Sequence, residues 1–318
     1  MVGFDETQRA VMVALEKLCQ MGIPQSYIDE CDANGNYPQR AMDELASNGW
    51  SALVVPEKYG GTAASCVDLA AVQVALAHHA LCMAQAYYSL WVLPAELIAR
   101  VGSRDQQEEW LPRIASGEAK IAFALTEPDS GSDAAKIRTR MTTNGDGSIQ
   151  ISGQKVFTSG AAVADLIITV VRSSELADGQ GGLSLILVDP ASPGVEVKPI
   201  RKMGLKPLDL CEVYFDDVEV DKGAVLGPSD DAWRALQPTL TRERALLAAI
   251  CTGALRDVLE LSSDYARTRE AFGQPISQFQ MIADKIVQIR LQSEAAELLT
   301  VRAAGSIDAG LPQARTDA

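Results

Sequence analysis

The sequence predicts an α+β fold in three parts: an N-terminal α-helical domain over 1–118, a middle antiparallel β domain of barrel or sandwich type over 119–227, and a C-terminal helical bundle over 228–318. Three observations carry that prediction. Apolar residues recur at helical spacing through the first part. After Ala119, segments rich in Ile, Val, Phe and Thr alternate with turn residues roughly every ten positions. Beyond Asp230, two long helical patterns return.

Taken in order, Val11, Leu15 and Leu18 give residues 5–20 a helical face. Pro38 suits the first turn of a second helix, where its missing N–H is harmless, and that helix runs through Met42 and Leu45 to Gly49. Pro56 and the pair Gly60-Gly61 end the short apolar stretch that follows. Alanine-rich helices come next over 67–86 and 92–101, and an acidic amphipathic helix over 105–116 closes the first part. The strands are IAFALT, SIQISG, KVFTS, DLIITVVR, LSLILVD, VEVKPI and CEVYFDDVEV, with NGDG, ADGQGG and ASPG as turns. Pro238 and Thr239 precede a helix over 241–267, which a turn at Phe272-Gly273-Gln274-Pro275 ends. A second helix over 277–306 carries Ile282, Ile286, Ile289, Leu291, Ala295 and Leu298 as a stripe expected to face the core. Pro312 and then Arg315-Thr316-Asp317-Ala318 read as the opening of a further helix, so the chain is expected to be a C-terminally truncated form of a longer protein, its bundle incomplete.

At 318 residues the chain is long enough for two domains, or for one interrupted by an insertion. A net charge of -14 opposes binding to DNA or to anionic lipid, so no nucleic acid and no membrane are expected as partners. The longest apolar runs fall far short of the roughly 18 residues a membrane span needs. Six cysteines, widely spaced and without a C-x-x-C pair, fit buried thiols in a reducing cytoplasm. The two histidines, His78 and His79, are sequence neighbours and point about 100° apart on a helix, which suits a shared metal poorly. No metal site is expected, and His78-His79 reads as a helix-surface pair. Gly-rich dinucleotide, P-loop and G-x-S-x-G signatures are absent.

Two segments stand out. Ala122-Phe-Ala-Leu-Thr-Glu-Pro-Asp-Ser-Gly-Ser-Asp133 leaves a strand for a polar turn whose hydroxyls and amides can converge on an anion or a ring carbonyl. Lys155-Val-Phe-Thr-Ser159 brings an aromatic and two hydroxyls to the end of a strand. Read alone, the first is equally a plain surface turn and the second an ordinary sheet edge.

Together they resemble the acyl-CoA dehydrogenase family. TEPDSGSD, then SGQKVFTSGA, FDDVEV over 215–220, RTREAFGQPISQFQ over 267–280 and PEKYGG over 56–61 fit its pattern in register, and the resemblance extends along essentially the whole chain. The stretch YIDECDANGNYPQRAMDELASNGW adds a weaker similarity to the carnitine-pathway crotonobetainyl-CoA branch. The resemblance implies a flavoprotein with FAD, dehydrogenation of an acyl-CoA substrate and an electron-transfer flavoprotein as acceptor. It implies that Phe123, Leu125, Thr126 and Ser132 border the flavin and its phosphates, with Ser132 also toward the substrate, and that Phe157 and Ser159 lie beside the ring. Many members have Trp and Thr at those last two positions. Arg269, Phe272 and Gln280 match residues that reach the FAD of a neighbouring subunit, which makes a homodimer or homotetramer the expected assembly, with a heteromer as the alternative.

The implied reaction removes a proton from the α carbon and a hydride from the β carbon. The proton needs a carboxylate base, and drying the carboxylate raises its pKa toward working pH. Glu243 is the candidate: it lies in Thr241-Arg-Glu-Arg-Ala245, directly before the apolar run ALLAAIC, and some branches of the family carry the base there, followed by an arginine that matches Arg244. Other branches place the base on a later loop. Without the resemblance, Glu243 is equally an acid favoured near a helix N-terminus. Thr241 stands where many members have an aspartate against the pantetheine arm, so Thr241 and Arg244 are the expected substrate contacts. The competing expectations are another flavin reaction on the same fold, an enoyl-CoA reductase or a monooxygenase, and a non-catalytic subunit of a heteromeric dehydrogenase.

Overall fold

The structure is a computed structural model that describes residues 3–145, 147–174 and 182–318. Helices fill the first part. They are α1 (Glu6–Gly22), α2 (Gln25–Asn34), α3 (Gln39–Ser47), α4 (Cys66–His79), α5 (Leu81–Tyr87), α6 (Leu93–Val101) and α7 (Arg104–Ala115), with a π-helical turn Tyr88–Val92 between α5 and α6. Their starts are written in the sequence. Asp5, Ser65 and Ser103 each accept a backbone N–H of the first turn, and Gln8, Asp68 and Gln106 return the bond to the cap. Pro38 sits just before α3, at its cap, rather than inside the first turn. α2 was not expected, because its two buried residues, Ile28 and Cys31, make too narrow a stripe to read. The helix expected over 67–86 breaks at Ala80, whose extended backbone separates α4 from α5.

The middle part is an eight-stranded sheet of β1 (Ile121–Ala124), β2 (Arg140–Thr143), β3 (Ile149–Ser159), β4 (Leu166–Arg172), β5 (Leu183–Val188), β6 (Val195–Pro199), β7 (Leu210–Val220) and β8 (Val225–Leu226). SIQISG and KVFTS, expected as two strands, are one. The order is β6-β7-β3-β2-β4-β5-β8, antiparallel except along one edge of β4. There β1 pairs in parallel from Ile121–Leu166 to Ala124–Thr169, and β2 pairs in parallel only at Arg140–Arg172. β1 and β2 thus line up end to end beside β4, and residues 125–139 leave the sheet between them. Parallel pairing is open to β1 because some forty residues separate it from β4, ample for a crossover. Asp146 of the NGDG turn, and all of the ADGQGG turn except Gly182, lie outside the described residues.

The last part holds α8 (Ala232–Thr268), a small hairpin of β9 (Glu270–Ala271) and β10 (Gln274–Pro275), α9 (Gln280–Asp308) and the short α10 (Ala314–Asp317). α8 begins nine residues earlier than expected and contains Pro238. An interior proline forfeits one helical hydrogen bond, but buried Leu236 and Thr239 hold the helix on either side of Pro238.

Contacts group the chain into two compact units, 1–24 with 65–85 and 241–318, and 25–64 with 86–240. In the first, α4 is buried along nearly its whole length among α1, α8 and α9. Gly253 of α8 is required there, since a Cβ at that position would stand 2.3 Å from the Val74 carbonyl oxygen. The Asp308 carboxylate caps α4 from α9, accepting the Cys66 and Val67 amides at 2.7 and 3.0 Å. The histidines are less plain than expected. His78 lies between Glu16 at 3.5 Å and Glu260 at 3.3 Å, and the half-buried His79 ring bonds the Ile23 carbonyl, its pKa lowered chiefly by burial. The stripe on α9 does not face a core. Leu291 and Leu298 are 56% and 45% exposed, Ala295 is exposed, and Ile282, Ile286 and Ile289 are half-buried, with Ile286 and Leu291 lining an open groove beside α8. What α9 buries is smaller, Ser293, Thr300, Val301, Ala303 and Ala304. In the second unit the π-helical turn packs on β1, and Gln106 of α7 donates to the Gly223 and Val225 carbonyls beside β8.

Candidate active site

The sheet unit gathers one set of expected site residues. β3 passes β2 and continues beside the segment that follows β1, where the Val156 amide donates to the Thr126 carbonyl at 2.9 Å. Between Lys155 and Thr158 the β3–β7 register slips by one residue, a bulge. Phe157 occupies it at φ +59° and stands 58% exposed, while Val156 and Thr158 beside it are buried. A bulge of this kind re-aims a side chain that a regular strand would pair. Phe123, Leu125, Thr126 and Ser159 are half-buried, unlike the fully buried Ala122, Ala124 and Thr158 that alternate with them. Ser132 is exposed on the turn. Among the described residues, neither the Thr126 nor the Ser159 hydroxyl has a hydrogen-bond partner. An aromatic face with a leucine and two uncommitted hydroxyls suits a flat heteroaromatic ring rimmed by acceptors, and so fits the isoalloxazine of FAD.

A buried ion pair underlies this face. Lys155 is fully buried, and its Nζ donates to Glu127 Oε1 at 2.8 Å and to the Leu125 carbonyl at 3.0 Å. The Glu127 carboxylate also accepts the Arg138 amide at 2.6 Å and the Thr139 amide at 2.8 Å. Burial would raise the Glu127 carboxyl, but the Lys155 charge and these bonds bring it below its ordinary value. Burial pushes Lys155 down to about 8, against the pull of Glu127. Sequence reasoning passed over both residues although they stand inside the quoted motifs. The available signal was a lysine on an inward-facing position of a strand, two residues before the aromatic.

The helical unit holds the other set. Thr241 and Glu243 are half-buried on α8 and Arg244 is exposed. Ala245 and Leu246 immediately after are buried. Burial raises the Glu243 carboxyl above its ordinary value, only partly offset by the adjacent Arg244 charge. Arg269, Phe272 and Gln280 surround the β9–β10 hairpin and are all exposed. Its turn is Phe272-Gly273, at φ +51° and +78°, the mirror-image turn that suits a two-residue hairpin. Phe272 is 97% exposed and touches Phe279 edge-on at 6.1 Å. Phe272 is thus a bulky residue in a backbone region such residues seldom adopt, with its ring exposed.

Comparison with known proteins agrees along the whole length. Family models for the acyl-CoA dehydrogenase N-terminal, middle and C-terminal domains match residues 5–118, 122–218 and 230–318. The chain is 31% identical over 304 residues to the probable acyl-CoA dehydrogenase YdiO of Escherichia coli K12, covering 95% of this chain and 78% of the relative. It is 36% identical over 272 residues to acyl-CoA dehydrogenase FadE12 of Mycobacterium tuberculosis H37Rv, covering 84% and 68%. Butyryl-CoA dehydrogenase from Megasphaera elsdenii superposes with a TM-score of 0.92 at 27% identity, over 100% of this chain and 83% of that one. Among the described residues no helix is long and apolar enough to cross a membrane. Fold, motifs in register and kinship over the full length together show that the chain belongs to the acyl-CoA dehydrogenase family of FAD-dependent oxidoreductases.

Proposed function

We propose that the protein desaturates an acyl-CoA thioester between its α and β carbons, with Glu243 as the base and an electron-transfer flavoprotein as the electron acceptor. The observation that carries this reading is the Glu243 carboxyl, held partly out of water before a buried apolar run, with a raised pKa. A thioester α proton is weakly acidic, and a desolvated carboxylate is a stronger base than one in water. Glu243 takes that proton, and Arg244 and Thr241 bind the polar part of the substrate. The face of Phe123, Leu125, Thr126, Phe157 and Ser159 holds the ring, Ser132 lies toward the phosphates, and bound FAD supplies the acceptor for the β hydride. Arg269, Phe272 and Gln280 serve the FAD of a second subunit, so a dimer is the smallest complete enzyme and a tetramer repeats the same contact. The exposed Phe272 ring supports that assignment.

The test is an anaerobic screen of acyl-CoAs, short and long, with carnitinyl and crotonobetainyl thioesters included, read as loss of the oxidised flavin band. Glu243→Gln should keep FAD and lose about 10²- to 10⁴-fold of the reduction rate. A near-normal rate moves the base elsewhere. Bleaching followed by rapid reaction with oxygen points to a monooxygenase, and no bleaching by any thioester points to a non-catalytic subunit.

A further inference from the structure

The gap between β1 and β2, in the row of the sheet that lies between β3 and β4, sets a problem of hydrogen bonding. Residues 125–139 leave the ladder, so backbone groups that a strand would satisfy are left beside buried β3. Buried backbone groups without partners are costly. The structure meets this with two side chains. Lys155 Nζ takes the Leu125 carbonyl, Glu127 takes the Arg138 and Thr139 amides, and Lys155 and Glu127 take each other. Between the two anchored residues lies Thr126, its carbonyl held by the Val156 amide. Beyond Lys155 on the same strand comes the Phe157 bulge.

We infer that Lys155 and Glu127 are positioning residues of the flavin face, a buried charged clasp that fixes Leu125, Thr126 and Phe157 in the arrangement the ring requires before the ring arrives. The clasp acts on both ring-bordering segments at once, because Lys155 belongs to the strand carrying Phe157 and Ser159 and Glu127 to the turn carrying Thr126. This inference rests on the placement of FAD proposed above.

Stability alone does not account for such a pair. Two well-packed apolar residues in place of a buried ion pair are often as stable or more so, whereas removing one partner strands the other charge. That asymmetry separates the two roles. In the full chain, Lys155→Met and Glu127→Gln should each lower the melting temperature. The double variant Lys155→Met/Glu127→Gln, which removes both charges and keeps an amide oxygen to accept from the Arg138 and Thr139 amides, should recover the part of that loss that a stranded charge causes. FAD affinity should not recover: the double variant should bind FAD at least about tenfold more weakly than wild type, the worth of one lost charge-assisted hydrogen bond. Its flavin band should also shift when FAD saturates it. If the double variant regains stability, FAD affinity and the wild-type flavin spectrum together, the pair is only structural and the inference is wrong.

A measurement on the wild-type protein covers variants that fail to fold. The Arg138, Thr139 and Val156 amides should be protected from hydrogen exchange equally without and with FAD. Protection that appears only when FAD binds would overturn the clasp as a pre-organising device. Wild-type protein that takes up no FAD at all would instead sink the flavin placement, a separate failure.

Discussion

Phe157 and Phe272 are the same local anomaly in two settings. Each is an exposed phenylalanine in the left-handed backbone region, which bulky residues seldom adopt. Phe157 sits in a sheet bulge with buried neighbours on both sides and a charged clasp beneath. Phe272 tips a six-residue hairpin and touches one other ring, that of Phe279. The first strain is supported by the protein's own interior. The second has no comparable support within its unit, and its ring is 97% exposed. The sheet unit therefore braces its strained ring with its own interior, whereas the helical unit leaves its strained ring with a single aromatic neighbour.

The largest effect that sharpens this contrast is on chemistry. Besides the rate loss, Glu243→Gln should raise the melting temperature at neutral pH by about 1–3 °C. The sign follows from the raised carboxyl: protonation favours the folded form, so the ionised Glu243 detracts from stability once pH rises through its folded pKa. The same shift should give wild-type flavin reduction an acid limb lying above the ordinary carboxylate range in a pH–rate profile. A melting temperature that falls in the variant would show the carboxylate to be a favourable structural contact.

Next in size is the interior of the helical unit. Gly253→Ala should cost about 1–3 kcal/mol in denaturant unfolding, because the added methyl meets the Val74 carbonyl and α4 must move. An unchanged midpoint would mean that α8 and α4 slide apart freely.

Smaller effects divide the two phenylalanines. Phe157→Gly relieves the left-handed strain and should leave stability unchanged or slightly higher, yet weaken FAD binding severalfold in a fluorescence titration. Phe272→Gly should likewise spare stability, but its effect on FAD should grow with protein concentration if, as proposed, it acts through a second subunit. Equal effects at all concentrations would erase the distinction. Smallest of all, Leu291→Glu should not lower the melting temperature, because that side chain is 56% exposed, but it should reduce binding of a hydrophobic dye.

Much of this was legible in the sequence because the relevant signals are local. Caps, the strand segments and the TEPDSGSD and KVFTS motifs each announce themselves within a dozen residues. What escaped depends on distant chain. The parallel β1–β4 pairing joins residues some forty apart, and nothing in IAFA specifies its neighbour. The stripe on α9 has helical spacing, but spacing reports that a face is apolar and not what covers it. Nothing in KVFTS marks Lys155 as buried, because lysine is usually exposed. Only its partner 28 positions earlier explains its burial.

The interrupted row between β3 and β4 also sets an order of assembly. β1 and the turn after it emerge from synthesis before any of their sheet partners exist, since β3 and β4 both follow them in the chain. The Glu127 carboxylate must stay hydrated until Lys155 has been made and carried to it. The face of Thr126 and Phe157 therefore cannot form before β3 and β4 have been made, and a chain halted before about residue 172 carries the TEPDSGSD motif without the strands that hold it.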